Sequence, residues 1–306
     1  MRPAAAGALG LSLLALAACG DKEKAKAVEP RPLEAGEKVA GAMDVWGRKL
    51  DIDCPRKFDV PARPSGARAD DIRGLRLGVG YDTALLYAQC EKGRPLDSVL
   101  MTESADFDRQ EQGLKIRTMA AVANGAFGPR FRQQDIFDRD PGRGLQKTDA
   151  VWRFIADGMP GQEKVYAIWL AQPFAKGEQP TVESQVAGLK AKYGEPTVVE
   201  DRGKMVWTAQ PDGTPIPAFD RERLRRCANT VDPGHQALNY GPDCGVTVVA
   251  RVTPDQNPAL AYRVETAVFD PAGLWAYQNE RFEQERDALL AGQALAQSKT
   301  AEGGKF

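Results

Sequence analysis

Apolar and polar positions change rhythm along the chain, and each rhythm predicts an element. In "QPTVESQVAGLKAKYGEPTVVEDRGKMVWTAQPDG", Val182, Val186, Leu189 and Tyr193 recur at spacings of four, three and four. That places them on one helix face. Thr181 suits the N-cap, and Gly194 followed by Pro196 is a stop signal. "TVVED" and "KMVWTAQ" then read as a hairpin around Arg202-Gly203. Upstream, "AVWRFIAD" and "KVYAIWLAQPF" are strands separated by Gly158, Pro160 and Gly161.

An earlier segment, "DIRGLRLGVGYDTALLYAQCEKG", follows the same plan. A glycine-punctuated turn leads into a short helix over 82–90, with Gly80 as its N-cap. Two strands follow, "SVLMTES" and "LKIRTMAAVA", the second alternating Leu114, Ile116 and Thr118 against other residues. Later, "GVTVVARVTP" and "LAYRVETAVFD" form a last strand pair. Asp270-Pro271 opens a long terminal helix with Leu274, Phe282 and Leu289 on its buried stripe. The tail "QSKTAEGGKF" should fray. Hairpins mixed with isolated helices indicate an α+β fold of antiparallel sheets and short helices. The repeated plan leaves open two loosely related helix-plus-hairpin lobes.

The chain start reads differently. After Met1 and Arg2, residues 3–18 carry no charge, and Leu11, Leu13, Leu14 and Leu16 form an apolar centre. This describes a secretory signal peptide and is too short for a spanning helix. Leu16-Ala17-Ala18-Cys19 resembles the lipobox of bacterial lipoproteins. The resemblance implies a lipid on the Cys19 sulfur and cleavage before it. The residue after Cys19 is Gly20, not Asp, which favours the outer membrane, periplasmic face. Two or more acyl chains give stable anchoring. The following "GDKEKAKAVEPRPLEAGEK" lacks an apolar period and reads as a flexible tether of roughly 25 Å. The expected organisation is a signal peptide over 1–18, lipidated cysteine and tether over 19–40, α+β lobes over 41–150 and 151–270, and helix plus tail over 271–306.

The helix-plus-hairpin of the second segment resembles the SmpA/OmlA outer-membrane lipoproteins, which assist β-barrel assembly. The matching residues are Gln185-Val186, Gly194-Glu195-Pro196 and Trp207, about 35 of 306 residues. The whole chain is similar to large periplasmic lipoproteins of proteobacteria. These resemblances imply a helix-plus-sheet unit, with barrel assembly as one option for its role.

Charge is balanced, with 41 basic and 42 acidic residues, so bulk charge supports no nucleic-acid partner. The 42% hydrophobic content is enough for a core. One histidine, His235, rules out zinc sites built on several histidines. GxSxG, GxxxxGK[ST] and GxGxxG are absent, so neither a cofactor nor a metal is expected. Asp70-Asp71 and Asp138-Asp140 are closely spaced acids, but Asp70-Asp71 reads as a turn start.

With Cys19 lipidated, Cys54, Cys90, Cys227 and Cys244 remain, an even number in an oxidising compartment. We expect Cys54–Cys90 and Cys227–Cys244, because each pair lies within one segment and the alternatives bridge the two halves. A long loop, "GAFGPRFRQQDIFDRDPGRGLQK", sets Phe127, Phe131 and Phe137 among Arg130, Arg132, Arg139 and Arg143. Arginine with aromatics suits a partner interface, and Arg130, Phe131, Arg132, Phe137 and Arg139 are its candidate contacts. "RERLRRC" is a second basic run and reads as a solvated helix face. The leading expectation is a non-catalytic, lipid-anchored protein that binds an envelope protein or glycan. Its rivals are an envelope hydrolase with paired carboxylates and a small-ligand or inhibitor-type module.

Overall fold

The computed structural model describes residues 54–55, 57–62, 70–90, 99–103, 109–124, 126–127, 145–147, 150–217, 219–228 and 241–303. In chain order these form β1 (Asp71–Ile72), β2 (Leu75–Arg76), α1 (Tyr81–Gln89), β3 (Val99–Glu103), β4 (Arg109–Glu111) and β5 (Leu114–Ile116). Next come β6 (Met119–Asn124), β7 (Ala126–Phe127), β8 (Leu145–Lys147), β9 (Val151–Asp157) and β10 (Lys164–Pro173). The remainder is α2 (Val182–Tyr193), β11 (Val198–Val199), β12 (Met205–Trp207), α3 (Arg221–Cys227), β13 (Thr247–Pro254), β14 (Ala261–Phe269), α4 (Pro271–Ala276) and α5 (Phe282–Gly303). The fold is α+β with antiparallel sheets and a long C-terminal helix, as the sequence pattern predicts.

Eight strands make one antiparallel sheet in the order β11-β12-β13-β14-β10-β9-β6-β3. Its two halves repeat one plan. In the first, α1 precedes β3, β6, β9 and β10, which lie side by side in chain order. In the second, α2 precedes β11, β12, β13 and β14 in the same way. The last strands of the two halves, β10 and β14, pair antiparallel from Ala167↔Phe269 to Pro173↔Arg263. Equivalent strands meeting antiparallel relate the halves by an approximate twofold rotation about that seam. The two expected lobes are therefore halves of one sheet, because strands this apolar on both faces bury more by joining than by ending as edges.

Both helices lie on one face, where α1 covers β6 and β9 and α2 covers β13 and β14. The small β1–β2 hairpin rests between them against β10 and β14. This face carries the main core, with Leu75, Leu85, Trp152, Phe154, Ile168, Trp207 and Val268 among its buried side chains. The predicted stripe of α2, Val182, Val186, Leu189 and Tyr193, packs against it. Thr181 Oγ1 accepts from Ser184 N at 3.1 Å, and Gly194 ends the helix at φ 85°. Trp207 Nε1 donates to Gly194 O at 2.8 Å, which ties the end of α2 to β12.

Three expectations change. "LKIRTMAAVA" is two strands, not one: β5 pairs with β4, β6 joins the large sheet, and the chain breaks pairing at Arg117-Thr118. Arg117 leaves the strand to bind Asp82 and Glu163. The terminal helix contains a π turn over Tyr277–Arg281, which adds Tyr277 to the expected stripe of Leu274, Phe282 and Leu289. The five-residue step from Tyr277 to Phe282 is the extra residue of that turn. The stretch expected as a tail from Gln297 is helical as far as Gly303.

Candidate functional site

Two predicted links are present. Cys54–Cys90 holds the chain before the hairpin to the end of α1, with Cα atoms 5.7 Å apart. Cys227–Cys244 joins the end of α3 to the approach to β13, with Cα atoms 5.4 Å apart. α3 begins at Asp220, whose carboxylate accepts from Arg223 N at 3.1 Å. Its basic run is not wholly solvated: Arg223 Nε donates to Asp243 O at 3.3 Å, and Arg226 pairs with the Asp243 carboxylate. Cys19, His235, Asp138, Asp140, Arg130, Phe131, Arg132, Phe137, Arg139 and Arg143 lie outside the described residues.

The buried acids are held by donors. Glu163 Oε1 accepts from Arg117 Nε at 3.0 Å and its Oε2 from Gly161 N at 2.8 Å. The Arg117 guanidinium also bonds Asp82 and lies 4.6 Å over the Tyr81 ring. Hydrogen bonds to Glu163 and then Asp82 raise its pKa further, so it is a fixed cation. Asp157 accepts from Gly158 N and Gln278 Nε2 at 2.9 and 2.7 Å. On the sheet face away from α1 and α2, Glu265 pairs with Arg251 at 3.0 Å and Arg263 at 3.2 Å. Asp70 and Asp71 do not start a turn as expected: Asp71 lies in β1, where its Oδ2 accepts from Gly74 N at 2.8 Å, and Asp70 just before it lies 3.4 Å from Arg76 Nε.

A groove of about 330 Å³ opens between the hairpin and α2. Its floor is Leu170 and Gln172 of β10 with Val264 and Thr266 of β14. Ile72 and Arg73 form one wall, and Ser184, Gln185, Gly188, Leu189, Lys192 and Tyr193 the other. Phe174 stands where β10 ends. The hairpin is small because Arg73 and Gly74, both at positive φ, make a two-residue turn. It covers the seam and meets the last turn of α2, where Lys192 and Tyr193 bond Asp71. Gly188 widens the remaining gap. It sits inside α2, and a Cβ there would meet nothing within 4 Å. A helix-interior glycine costs about 1 kcal/mol relative to alanine, and no close packing explains this one.

Both charged residues on the walls are cations. Arg73 Nη2 donates to Gln172 Oε1 at 2.7 Å, which aims the guanidinium across the floor. The Tyr87 hydroxyl donates to Arg73 O and steadies the turn beneath it. Arg73 reaches solvent at the rim, and the protein around it withdraws enough water to lower its pKa. Lys192 Nζ lies 2.8 Å from Asp71 Oδ2 and 5.1 Å from the Tyr193 ring centroid. Tyr193 Oη donates to Asp71 O at 2.8 Å, and burial raises its pKa. The sequence reading missed Arg73, Gln172 and Gly188. The legible signal was a glycine interrupting an otherwise well-capped amphipathic helix.

Among the described residues, no group of histidine, cysteine, aspartate and glutamate could hold a metal ion. No helix among them is long and apolar enough to cross a membrane. The chain matches no family model, no curated protein and no solved structure.

Proposed function

We propose that this chain is a lipid-anchored periplasmic binding protein of the outer membrane, which holds an envelope partner without performing chemistry on it. One observation carries the binding part of the reading. The groove between the hairpin and α2 has a mixed floor, Leu170 and Val264 beside Gln172 and Thr266, and its charged wall residues are Arg73 and Lys192. That is the composition of a seat for a ligand. The hydrolase reading asks for two carboxylates facing each other across a cleft. The buried acids Glu163 and Glu265 are engaged by arginines instead, and Asp157 by an amide and a backbone N–H.

The address rests on Leu16-Ala17-Ala18-Cys19 and the polar stretch after it. Arg130, Phe131, Arg132, Phe137 and Arg139 supply a second contact surface for a protein or glycan partner in this proposal. Fatty-acid labelling of cells expressing the full chain should mark the wild type and not Cys19→Ser. Persistent label in that variant overturns the anchor. Gentle cross-linking followed by detergent extraction should recover a specific partner, and recovery should fall with Phe131→Ala/Arg132→Ala or with Gly188→Leu. Recovery of the protein alone counts against the binding reading.

A further inference from the structure

We infer that the groove between the β1–β2 hairpin and α2 seats an uncharged aromatic ring from outside the chain, of the kind that Tyr87 supplies in the other half. This rests on the binding reading above and names the ligand's chemistry. The duplicated plan carries it, because the two halves match residue by residue where their helices begin. Tyr81 N donates to Glu163 O at 3.0 Å, and Val182 N to Ala259 O at 2.9 Å. Val165 N donates to Val79 O at 2.9 Å, and Ala261 N to Pro180 O at 2.8 Å. The N-caps Gly80 and Thr181 share nearly the same extended backbone. Core-facing residues then recur at the first, fifth and eighth positions after each cap. These are Tyr81, Leu85 and Ala88 in α1, and Val182, Val186 and Leu189 in α2.

The seventh position is where the halves part: it is Tyr87 in α1 and Gly188 in α2. Tyr87 closes the gap between α1 and the hairpin. Its hydroxyl donates to Arg73 O, and its ring centroid lies 4.9 Å from that of Phe58 and 6.0 Å from that of Trp152. Gly188 sends no side chain toward the hairpin, and the groove of about 330 Å³ stands at the matching place, walled by Ile72 and Arg73 of the same hairpin. A dry cavity of ~150 Å³ already holds a benzene ring, so a substituted ring has room here. The walls select a neutral occupant. Lys192 is paired with Asp71 at 2.8 Å, and Arg73 is engaged by Gln172 and open to water at the rim. They also favour a ring over an aliphatic body. Phe174 and Tyr193 offer edge-to-face contacts, and a guanidinium such as that of Arg73 stacks on aromatic faces. Gln172 and Thr266 on the floor bring polar groups that suit a phenol better than a hydrocarbon.

The test uses the oxidised full chain in detergent, with N-acetyl-tyrosinamide as probe, ligand-observed NMR as readout and protein-free micelles as blank. N-acetyl-leucinamide replaces the ring by an aliphatic body, and N-acetyl-tyrosine adds a carboxylate. The tyrosinamide should bind about fivefold more tightly than the leucinamide, the gain ring contacts bring, and at least as tightly as the acid. Gly188→Tyr rebuilds in α2 what Tyr87 does in α1. It should abolish probe binding, with a melting temperature at or above that of the wild type. Gly188→Leu fills the gap with less bulk and should weaken binding in the same direction, so the result does not hang on the folding of one variant. Gly188→Ala should keep most of the binding. A wild type that prefers the leucinamide or the acid overturns the inference, and so does a tyrosine or leucine variant that binds the probe as the wild type does. The partner capture described above then distinguishes the source of the ring. Displacement of the partner by the probe assigns the ring to a polypeptide side chain; undiminished recovery beside a bound probe assigns it to a free aromatic molecule. If the probe fails but recovery still falls with Gly188→Leu, the binding reading stands with a different ligand; if neither probe nor partner binds, both fall.

Discussion

At the scale of single residues, the strongest commitment is Glu163. Its side chain is 1% exposed and paired with Arg117. Removing one member of a buried pair leaves a charge without compensation, at a cost of ~3–5 kcal/mol. Arg117→Ala should therefore be among the most destabilising single changes, and Glu163→Gln added to it should recover part of the loss. Urea denaturation of both variants checks this; equal stability of the single and double variants would contradict it. Gly158 is bound to the same turn, at φ 148°, where a Cβ would come 2.6 Å from Glu163 Cα. Asp270 behaves in the opposite sense. It caps α4 through Gly273 N at 2.9 Å, yet burial raises its pKa above the usual carboxylate value. The folded state then holds its proton more tightly than the unfolded state, so this group's contribution to stability falls as pH rises from the unfolded to the folded pKa. Asparagine keeps the cap without the charge. Asp270→Asn should be more stable than wild type at pH 7, and the gain should vanish below about pH 3.9, where the unfolded carboxyl is protonated as well. A variant that is less stable at both pH values would show that the charge itself supports the helix.

At the scale of elements, legibility followed how local each cause is. Helix α2 was readable because its cap, its apolar stripe and its stop all lie within its own sequence. The break at Arg117 was not, because its cause is Glu163, far along the chain. Nor was the π turn, which shows only as Tyr277 and Phe282 five apart. The turn was needed to keep Phe282 on the packed side, beside Leu114, Ile116 and Tyr277. The groove was harder still, since its walls come from the hairpin and α2 and its floor from β10 and β14. Only Gly188 hinted at it. The C-terminal helix divides into two parts with different consequences. Phe282 is 5% exposed, whereas residues 291–300 are all exposed. Phe282→Ala should cost about 3–5 kcal/mol, the usual range for a buried aromatic. Ending the chain after Leu290 should change the denaturation midpoint little, and a large loss on truncation would mean that the exposed turns hold contacts of their own.

At the scale of the whole molecule, the duplicated plan and the seam decide how the protein holds together. The sequence shows the two plans but not that their last strands meet, because α2, β11, β12, α3 and β13 lie between β10 and β14 along the chain. The disulfides do not cross the seam. They close 36 and 17 residues within one half each, worth about 3–4 kcal/mol apiece in the chain-entropy picture. What joins the halves is the β10–β14 ladder and the core above it, where Ile168 and Val268 are fully buried opposite one another. A shared core of this kind makes the halves unfold together. Urea unfolding of the protein should thus give one transition, with far-ultraviolet circular dichroism and tryptophan fluorescence coinciding. Trp152 and Trp169 report on the first half and Trp207 on the second, so the fluorescence samples both. Replacing Cys227 and Cys244 by alanine should lower the midpoint while the two probes still coincide, since the lost constraint is internal to one half. If that variant instead shows two separated transitions, each half folds on its own and the seam is an interface between domains.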